Sequence, residues 1–388
     1  MIFFRDLIYK AKNFFLVNKI LSIIIILLIL IQGGLLYLLW SQKSGNEIKI
    51  KDKEEKIDIS TTNSIYLSDQ ENIIPEEKIS FTPQFLFFGD LMLDREVKDW
   101  IDKKGIDYLF KNLVDEENRF FMDTDLIGLN LESAVTKNGE HYSPALINDF
   151  AVAPERVSEL KKYGFNFLNL ANNHIADQGS KGYEETKNNL TELGISFSGC
   201  PDRQVGECSF VEKEIGGIKT AMVGFSMVYG VFDEKKAGEI ISELKSRNEL
   251  VIVNIHWGVE YSKNFNKKQQ QVGRDLIDAG ADVIIGHHPH VIQGMEIYKN
   301  KPIFYSLGNF IFDQYFSEAT QTGLAVGFNY SAIGTKFYLF PFTTIKGEAK
   351  FLTGEAKKKF FTDFFAVSDI SVKDYKDDIM GGLVNIKK

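Results

Sequence analysis

Residues 280–294 read GADVIIGHHPHVIQG, and this stretch shows how the domain is built. The run 282–285 (DVII) has the composition of a buried strand, and one glycine and three histidines follow it within five residues. In open α/β sheets, ligands bind at the carboxyl ends of the strands. We therefore expect an α/β fold whose strand ends carry the functional side chains.

Short apolar runs of this kind recur from residue 84 onwards and alternate with amphipathic segments. The expected strands are 85–88, 125–131, 166–170, 220–225, 250–255, 282–285 and 303–306. The expected helices are 154–163, 182–193 and 267–279. Aromatic alternation within 323–344 is typical of antiparallel strands. Strands that alternate with helices indicate the α/β class.

Five apolar runs end in short polar motifs. The motifs are Gly89-Asp90, Asn130-Leu131-Glu132, Ala171-Asn172-Asn173-His174, His256-Trp257-Gly258 and Gly286-His287-His288-Pro289-His290. A single Asp or Asn at a strand end is usually a turn former or a helix cap. A single histidine is usually structural. Five such motifs at equivalent positions instead predict one shared cleft.

The side chains of these motifs are those that bind divalent cations. Carboxylate and amide oxygens together with imidazoles suit Mn, Fe or Zn. The predicted metal ligands are Asp90, Glu132, Asn173, His256, His288 and His290. His141 has no such context, and we expect it at the surface. No GxSxG, GxxxxGK[ST] or HExxH motif occurs, so the sequence does not support a serine hydrolase, an NTP-binding protein or a protease of that zinc class.

The N-terminal region predicts a membrane anchor. Residues 20–40 are apolar and uncharged, which is long enough to cross a bilayer as one helix. Basic residues within 1–19 predict a cytoplasmic N-terminus and an extracytoplasmic main domain on a single-pass protein of the cell membrane. A cleaved signal peptide is the alternative. The charged segment 41–83 is interpreted as a flexible stalk, or else as a solvated helix.

Charge and cysteine content limit the partners. The net charge is −8 and the pI is about 5.5, which argues against nucleic acid as a partner. An anionic substrate therefore needs local cations or a metal. Cys200 and Cys208 are the only cysteines, and they form either a short-range disulfide or two free thiols. Their spacing fits no zinc motif.

At the polar motifs the sequence resembles the CapA family of poly-γ-glutamate capsule proteins. The matching segments are GDLMLDREV (89–97), NLESAVT (130–136), LANNHIADQG (170–179), HWGVEY (256–261), GADVIIGHHPHVIQG (280–294) and YSLGNFIFDQ (305–314). The resemblance implies a fold similar to calcineurin-like metallophosphoesterases. That fold is a four-layer α/β sandwich, with two β-sheets flanked by helices. We assign it to residues 84–345, behind the transmembrane helix, and treat 346–388 as a C-terminal extension.

The resemblance also implies roles for individual residues. Asp90 resembles the first metal aspartate, Glu132 stands where a bridging aspartate usually lies, and Asn173 resembles the asparagine ligand. His256 resembles the mid-domain histidine ligand, and His288 with His290 has the His-x-His spacing of the last motif. His174 resembles the residue that stabilises the transition state. Further candidates are His287, which could replace His288, together with Asn172, Glu260 and Asn309.

Two residues depart from the family pattern. Met92 stands where the superfamily has a histidine, and a thioether is a poor ligand for hard cations. The bridging position holds Glu132 in place of an aspartate. Both departures weaken the case for a site with two ions, so one ion or none stays open beside the two that the family pattern implies.

The leading hypothesis is metal-assisted hydrolysis or transfer on poly-γ-glutamate, on a similar anionic polymer, or on a small phosphorylated or glutamyl substrate. A non-catalytic polymer-binding subunit, working with other membrane proteins of capsule synthesis, is one alternative. A metal-dependent ectophosphodiesterase is the other. The chain has no ATP site of a synthetase, so it cannot ligate glutamate with ATP by itself.

Overall fold

The structure is a computed structural model that describes residues 84–113, 124–142, 148–331 and 333–387. The predicted transmembrane helix (20–40) and stalk (41–83) lie outside the described residues. No helix among the described residues is long and apolar enough to cross a membrane.

The described residues form seventeen strands and eight α-helices. The strands are β1 (Phe85–Leu91), β2 (Leu126–Leu131), β3 (Ala134–Val135), β4 (Ala151–Val152), β5 (Phe165–Asn169), β6 (Ser196–Ser198), β7 (Phe210–Ile215), β8 (Ile218–Ser226), β9 (Leu250–His256), β10 (Val283–His287), β11 (Ile292–Tyr298), β12 (Lys301–Leu307), β13 (Asn309–Ile311), β14 (Thr322–Ser331), β15 (Gly334–Ile345), β16 (Glu348–Phe351) and β17 (Leu383–Lys387). The helices are α1 (Arg95–Lys104), α2 (Asp107–Phe110), α3 (Pro154–Glu159), α4 (Gly179–Glu192), α5 (Glu234–Arg247), α6 (Lys267–Ala279), α7 (Gly354–Ala366) and α8 (Lys376–Gly381).

Two large sheets carry most of these strands. The nine-stranded sheet has the order β16-β15-β14-β1-β2-β5-β6, with β13 beside β1 and β17 beside β15. The six-stranded sheet has the order β11-β12-β10-β9-β8-β7. Strands β1, β2, β5 and β6 are parallel in the first sheet, as are β8, β9, β10 and β12 in the second. Each sheet therefore collects several carboxyl strand ends at one edge.

Side-chain alternation along β1 shows how the layers stack. Phe85 and Phe87 enter a core shared with strands of the six-stranded sheet, whereas Leu86 and Phe88 enter a core that α1 to α4 cover. A third core lies between the six-stranded sheet and helices α5 and α6. Two sheets therefore pack face to face with helices outside them. The α/β class and the mixture of sheets and helices expected from the sequence are confirmed.

A close backbone approach joins the site-bearing end of β1 to the segment after β12. Asp90 N donates a hydrogen bond to Gly308 O over 3.0 Å. A Cβ atom on Gly89 would lie 1.8 Å from the same oxygen, so position 89 excludes every side chain.

The C-terminal residues are part of this architecture. β16 and β17 both pair with β15, and Phe361 of α7 lies in the core between the sheets together with Val384 of β17. The described part of segment 346–388 is therefore built into the sandwich.

The structure joins Cys200 and Cys208 in a disulfide. The sequence left a disulfide and two free thiols as alternatives, and the structure has the disulfide.

Candidate metal centre

The predicted ligands lie at the carboxyl ends of strands from both sheets. Asp90 lies near the end of β1, and Glu132 and Asn173 follow β2 and β5. His256 ends β9, and the loop after β10 carries His288 and His290. These six residues are called the strand-end cluster below.

One part of the cluster groups both carboxylates around His290. His290 Nδ1 lies 3.4 Å from Asp90 Oδ2, and His290 Nε2 lies 4.0 Å from Glu132 Oε2. One potential ligand atom from each of these three buried residues lies within 4.8 Å of the others. Glu260, His288 and His290 form a second such group. His290 therefore belongs to two potential ligand groups.

The remaining ligands connect through His256. His256 Nε2 lies 2.7 Å from Asn173 Oδ1 and 3.1 Å from His288 Nδ1. The same nitrogen lies 3.8 Å from Glu132 Oε1. The structure therefore brings all six predicted ligands together, while their role in metal binding stays a prediction.

The four additional candidates differ in position. His287 Nδ1 lies 3.5 Å from Asp90 Oδ1, so both His287 and His288 reach the cluster, on different partners. Glu260 is exposed and joins His288 and His290. Asn309 Oδ1 lies 2.9 Å from His290 Nδ1, and Asn172 Oδ1 accepts a hydrogen bond from the backbone of His174. Asn309 and Asn172 thus orient other residues of the site.

His174 lies beside the cluster, and its role in catalysis stays a prediction. His174 Nδ1 is 2.9 Å from Asp177 Oδ2, and His174 Nε2 is 3.9 Å from Glu132 Oε2. The ring packs on Phe150 with centroids 4.3 Å apart. Asp177 and Phe150 therefore fix this imidazole with its second nitrogen towards the carboxylates.

Asn130 is a site residue to which the sequence assigned no role. Its side-chain nitrogen donates to Asp90 Oδ1 over 2.8 Å and to Glu132 Oε1 over 3.2 Å. Its oxygen accepts from Asn169 over 2.8 Å. One amide thus holds the two carboxylates in place, a contact that depends on the register of β1 against β2.

His141 and Met92 lie away from the ligand atoms. His141 bridges Asp94 and Asp149 with two contacts of 3.0 Å, and its side chain is 36% exposed. Met92 packs in the core below α1, and its sulfur accepts a hydrogen bond from Asp94 N. Position 92 therefore supplies no ligand atom to the cluster.

The two carboxyl groups of the cluster have opposite pKa shifts. Burial opposes ionisation of Asp90, but the nearby imidazoles of His287 and His290 outweigh it and lower the pKa of Asp90 well below its usual value. Burial, and next the charge of Asp90, raises the pKa of Glu132 well above its usual value. Asp90 therefore ionises more readily than Glu132 in this pocket.

The imidazoles of the cluster also have pKa shifts in opposite directions. Burial and then the charge of His290 lower the pKa of His288 to about 4, and burial with the charge of His288 lowers that of His256. Burial acts to lower the pKa of His290 too, but the charge of Glu132 and the contact with Asp90 raise it to about 9. His256 and His288 are therefore neutral near pH 7, and a neutral imidazole has the free lone pair that binds a cation.

Left-handed backbone conformations concentrate around the cluster. His288 has φ 95° and His290 has φ 56°, and Tyr229, Tyr261 and Arg95 beside the cleft also have positive φ. Such conformations cost energy for residues with a side chain and are typical of functional sites. Here they turn two imidazoles of one short loop into the same pocket.

Two buried polar atoms of the site have no hydrogen-bond partner, namely Glu132 Oε2 and His287 Nδ1. An unpaired buried polar atom destabilises a protein, so its presence needs an explanation such as an ion. The surrounding donors are carboxylate and amide oxygens and imidazole nitrogens, the set preferred by Mn, Fe and Zn. The residues present therefore fit a divalent cation.

A cleft of about 710 Å³ opens over the cluster. Asn173 and His290 of the cluster line this cleft together with His174. A substrate in this cleft can touch both the cluster and His174.

A family model and two similar proteins all point to the same family of capsule synthesis proteins. The family model "Bacterial capsule synthesis protein PGA_cap" matches residues 84–314, the span that contains every residue of the cluster and His174. "Capsule biosynthesis protein CapA" of Bacillus anthracis is 32% identical over 267 residues, which are 64% of this chain and 63% of that protein. "PGA biosynthesis protein CapA" of Bacillus subtilis (strain 168) is 34% identical over 256 residues, 61% of this chain and 65% of that protein. The chain thus spans less than two thirds of the length of these relatives.

Among solved structures, a hypothetical protein from Thermus thermophilus aligns over 68% of this chain and 95% of its own length. The sequence identity is 16% and the TM-score is 0.39. This degree of similarity supports no conclusion about fold or function.

Proposed function

Because the chain belongs to the PGA_cap family of bacterial capsule synthesis proteins, we propose that it processes poly-γ-glutamate or a similar anionic capsule polymer by metal-assisted hydrolysis or transfer. The observation that carries this proposal is the strand-end cluster, in which buried Glu132 keeps one oxygen without a partner. Nothing in core packing requires two carboxylates and three imidazoles at one point of the fold.

The cluster would hold the cation through Asp90, Glu132, Asn173, His256, His288 and His290. The cation would supply Lewis-acid polarisation of the carbonyl or phosphoryl oxygen of the substrate. Asn130 keeps Asp90 and Glu132 oriented through hydrogen bonds of 2.8 and 3.2 Å. The protein thereby fixes the ligand geometry before the substrate arrives.

His174 is proposed to move a proton at Nε2. Its Nδ1 lies 2.9 Å from Asp177 Oδ2, so that carboxylate holds the proton on Nδ1 and stabilises a charged imidazole. Nε2, which lies 3.9 Å from Glu132 Oε2, can then donate a proton to a leaving group or hydrogen-bond a developing negative charge.

We also propose a fold class for the domain and a location for it in the cell. The stacked sheets and outer helices support assignment to the metallophosphoesterase-like sandwiches. The apolar run at 20–40 and the basic residues before it support a single-pass anchor with the domain outside the cell. Other membrane proteins of capsule synthesis are the proposed partners.

The test uses the full-length chain. Metal content is measured by elemental analysis after exposure to Mn, Fe or Zn, and hydrolysis is followed with a γ-linked glutamyl oligomer and with a generic phosphodiester. We expect bound metal and cleavage of the glutamyl oligomer, both lost in Asp90→Asn and both kept in the exposed control Asp102→Asn. A chain that stays metal-free would support the polymer-binding subunit instead. Cleavage of the phosphodiester alone would support an ectophosphodiesterase.

A further inference from the structure

Arg95 extends into the cleft from the first turn of α1, and the sequence assigned it no role. Its Nε donates to Asp313 Oδ2 over 2.9 Å, and its Nη2 donates to the other oxygen of the same carboxylate. Two parallel bonds of this kind fix the orientation of a guanidinium group. Arg95 thus has a set position in the wall of the cleft.

The opposite edge of the guanidinium group is less occupied. Nη1 has one long hydrogen bond of 3.3 Å to Asn148 Oδ1, and the side chain is 34% exposed. Phe150 supports the planar group from below, with Cζ 4.9 Å from the ring centroid. The group therefore presents free donors towards the cleft.

Two phenylalanine rings connect Arg95 to the reacting groups. Phe150 packs on His174 with centroids 4.3 Å apart, and Phe312 packs on His290 at 5.0 Å. The two phenylalanine rings are themselves 6.0 Å apart. A ligand group bound by Arg95 would lie next to whatever occupies the cluster, with apolar rings in between.

Arg95 is a cationic side chain in a cleft that also has acidic lining residues. Among the described residues that line the cleft, it is the sole Lys or Arg, whereas Asp177, Glu260 and Asp313 are acidic. An anionic group of a substrate has no other Lys or Arg side chain to bind among those described residues. The left-handed φ of 49° at Arg95 costs energy that helix formation alone does not require.

We propose that Arg95, oriented by Asp313 and Phe150, binds a free carboxylate of the substrate beside the bond that reacts at the strand-end cluster. This inference rests on the proposed function and names the residue that recognises the substrate's free carboxylate. A γ-linked glutamyl chain has an α-carboxylate one carbon away from each amide nitrogen. An α-linked chain has its carboxylates at the ends of flexible side chains, and a phosphodiester has its charge on the reacting group. Arg95 therefore selects γ-linked chains.

The simpler interpretation is that Arg95 and Asp313 only fasten α1 to the segment after β13. The two interpretations differ in how binding depends on the ligand's carboxylate. A structural role affects all ligands equally, whereas a recognition role affects those with a free α-carboxylate.

The experiment measures calorimetric binding to the full-length chain, with and without Mn²⁺, of two γ-linked glutamyl tetramers. One tetramer has free α-carboxylates, and the other has neutral α-carboxamides. The variants are Arg95→Gln, Arg95→Lys and Asn148→Asp, with Lys98→Gln on the exposed side of α1 as the matched control. Thermal unfolding of each variant shows whether it folds. Because Asn148 is exposed, Asn148→Asp tests the cleft even if Arg95→Gln fails to fold.

We expect Arg95→Gln to weaken binding of the carboxylate tetramer roughly tenfold to a hundredfold, and to leave the carboxamide tetramer unchanged. Arg95→Lys should fall between, since an ammonium group lacks the planar fork. Asn148→Asp should also weaken carboxylate binding, because it gives Nη1 a charged partner, and Lys98→Gln should have no effect. Equal binding of the two tetramers by the wild-type chain, or equal losses for both in the variants, would overturn the inference. A chain that discriminates between the tetramers but holds no metal and cleaves neither would refute the proposed function alone.

Discussion

Asn173 and His256 meet side chain to side chain, with 2.7 Å between Asn173 Oδ1 and His256 Nε2. The first residue follows β5 of the nine-stranded sheet, and the second ends β9 of the six-stranded sheet. The contact therefore joins the carboxyl ends of two strands that belong to different sheets. It marks the point at which an amide oxygen and a neutral imidazole face the same small volume.

His256→Ala is expected to lower metal content because it removes a ligand atom that lies among Asn173, His288 and Glu132. Metal affinity should fall about tenfold or more, as for other changes in and around metal ligands. Circular dichroism should stay close to wild type. Elemental analysis after dialysis against a series of metal buffers measures the effect.

His141→Ala is the matched control, because it removes a histidine that contacts Asp94 and Asp149 outside the cluster. It should keep full metal content. Equal metal loss in both variants would show that the strand-end cluster is not the binding site.

The composition of the site could be read from the sequence because the fold is built from parallel strands. A run such as DVII followed by His287 and His288 places ligand-type side chains at a strand end, and parallel strands collect their ends at one edge. Asp90, Glu132 and His256 follow the same rule in both sheets. That is why one local pattern, repeated five times, predicts the cluster.

Contacts that depend on strand register or on distant loops could not be read in this way. Asn130 stands in one of the polar motifs, but its bonds to Asp90 and Glu132 follow from the pairing of β1 with β2. Arg95 meets Asp313 across 218 positions of sequence. The C-terminal segment showed no clear pattern, because β16 and β17 are short and form strands by pairing with β15.

Gly89→Ala should destabilise the domain strongly. The added Cβ would lie 1.8 Å from Gly308 O. The backbone at Gly308 cannot move away without breaking the hydrogen bond that Asp90 N donates to the same oxygen. We expect a loss of about 3 kcal/mol or more in the free energy of unfolding, measured by urea denaturation. Gly381→Ala is the control, since its Cβ meets nothing within 4 Å and alanine favours the helix. A mild effect at Gly89 would contradict the close approach.

Cys200 and Cys208 should resist alkylation in the folded chain until a reductant is added. They close a loop with a sequence separation of 8, so the bond should stabilise the domain by about 2 to 3 kcal/mol on the chain-entropy estimate. Unfolding of the double variant Cys200→Ser/Cys208→Ser measures that contribution. Rapid labelling of exposed Cys208 without reductant would disprove the bond.

The orientation in the membrane is tested on intact or wall-stripped cells. The uncharged run 20–40 and the basic residues before it predict that the domain lies outside, so added protease should degrade the chain after residue 41. A cytoplasmic protein in the same cells is the protection control. Full protection of the domain would refute the extracytoplasmic location while leaving the site chemistry as it is.

Asp177→Asn should lower kcat and leave metal content unchanged. The carboxylate contacts His174 Nδ1 at 2.9 Å, and its Oδ2 also accepts a hydrogen bond from Phe150 N. Asparagine fills the same volume but supplies no charge to stabilise a protonated imidazole, and its NH2 group can leave the proton on the wrong nitrogen.

The expected loss in kcat is about tenfold to a hundredfold for Asp177→Asn and about a hundredfold or more for His174→Asn. Because Asp177 affects catalysis only through His174, the double variant should be no slower than His174→Asn alone. The exposed change Asp278→Asn should have normal kcat. Metal loss in Asp177→Asn that matches its loss of activity would mean that this pair supports the cation site, and proton transfer by His174 would then have to be abandoned.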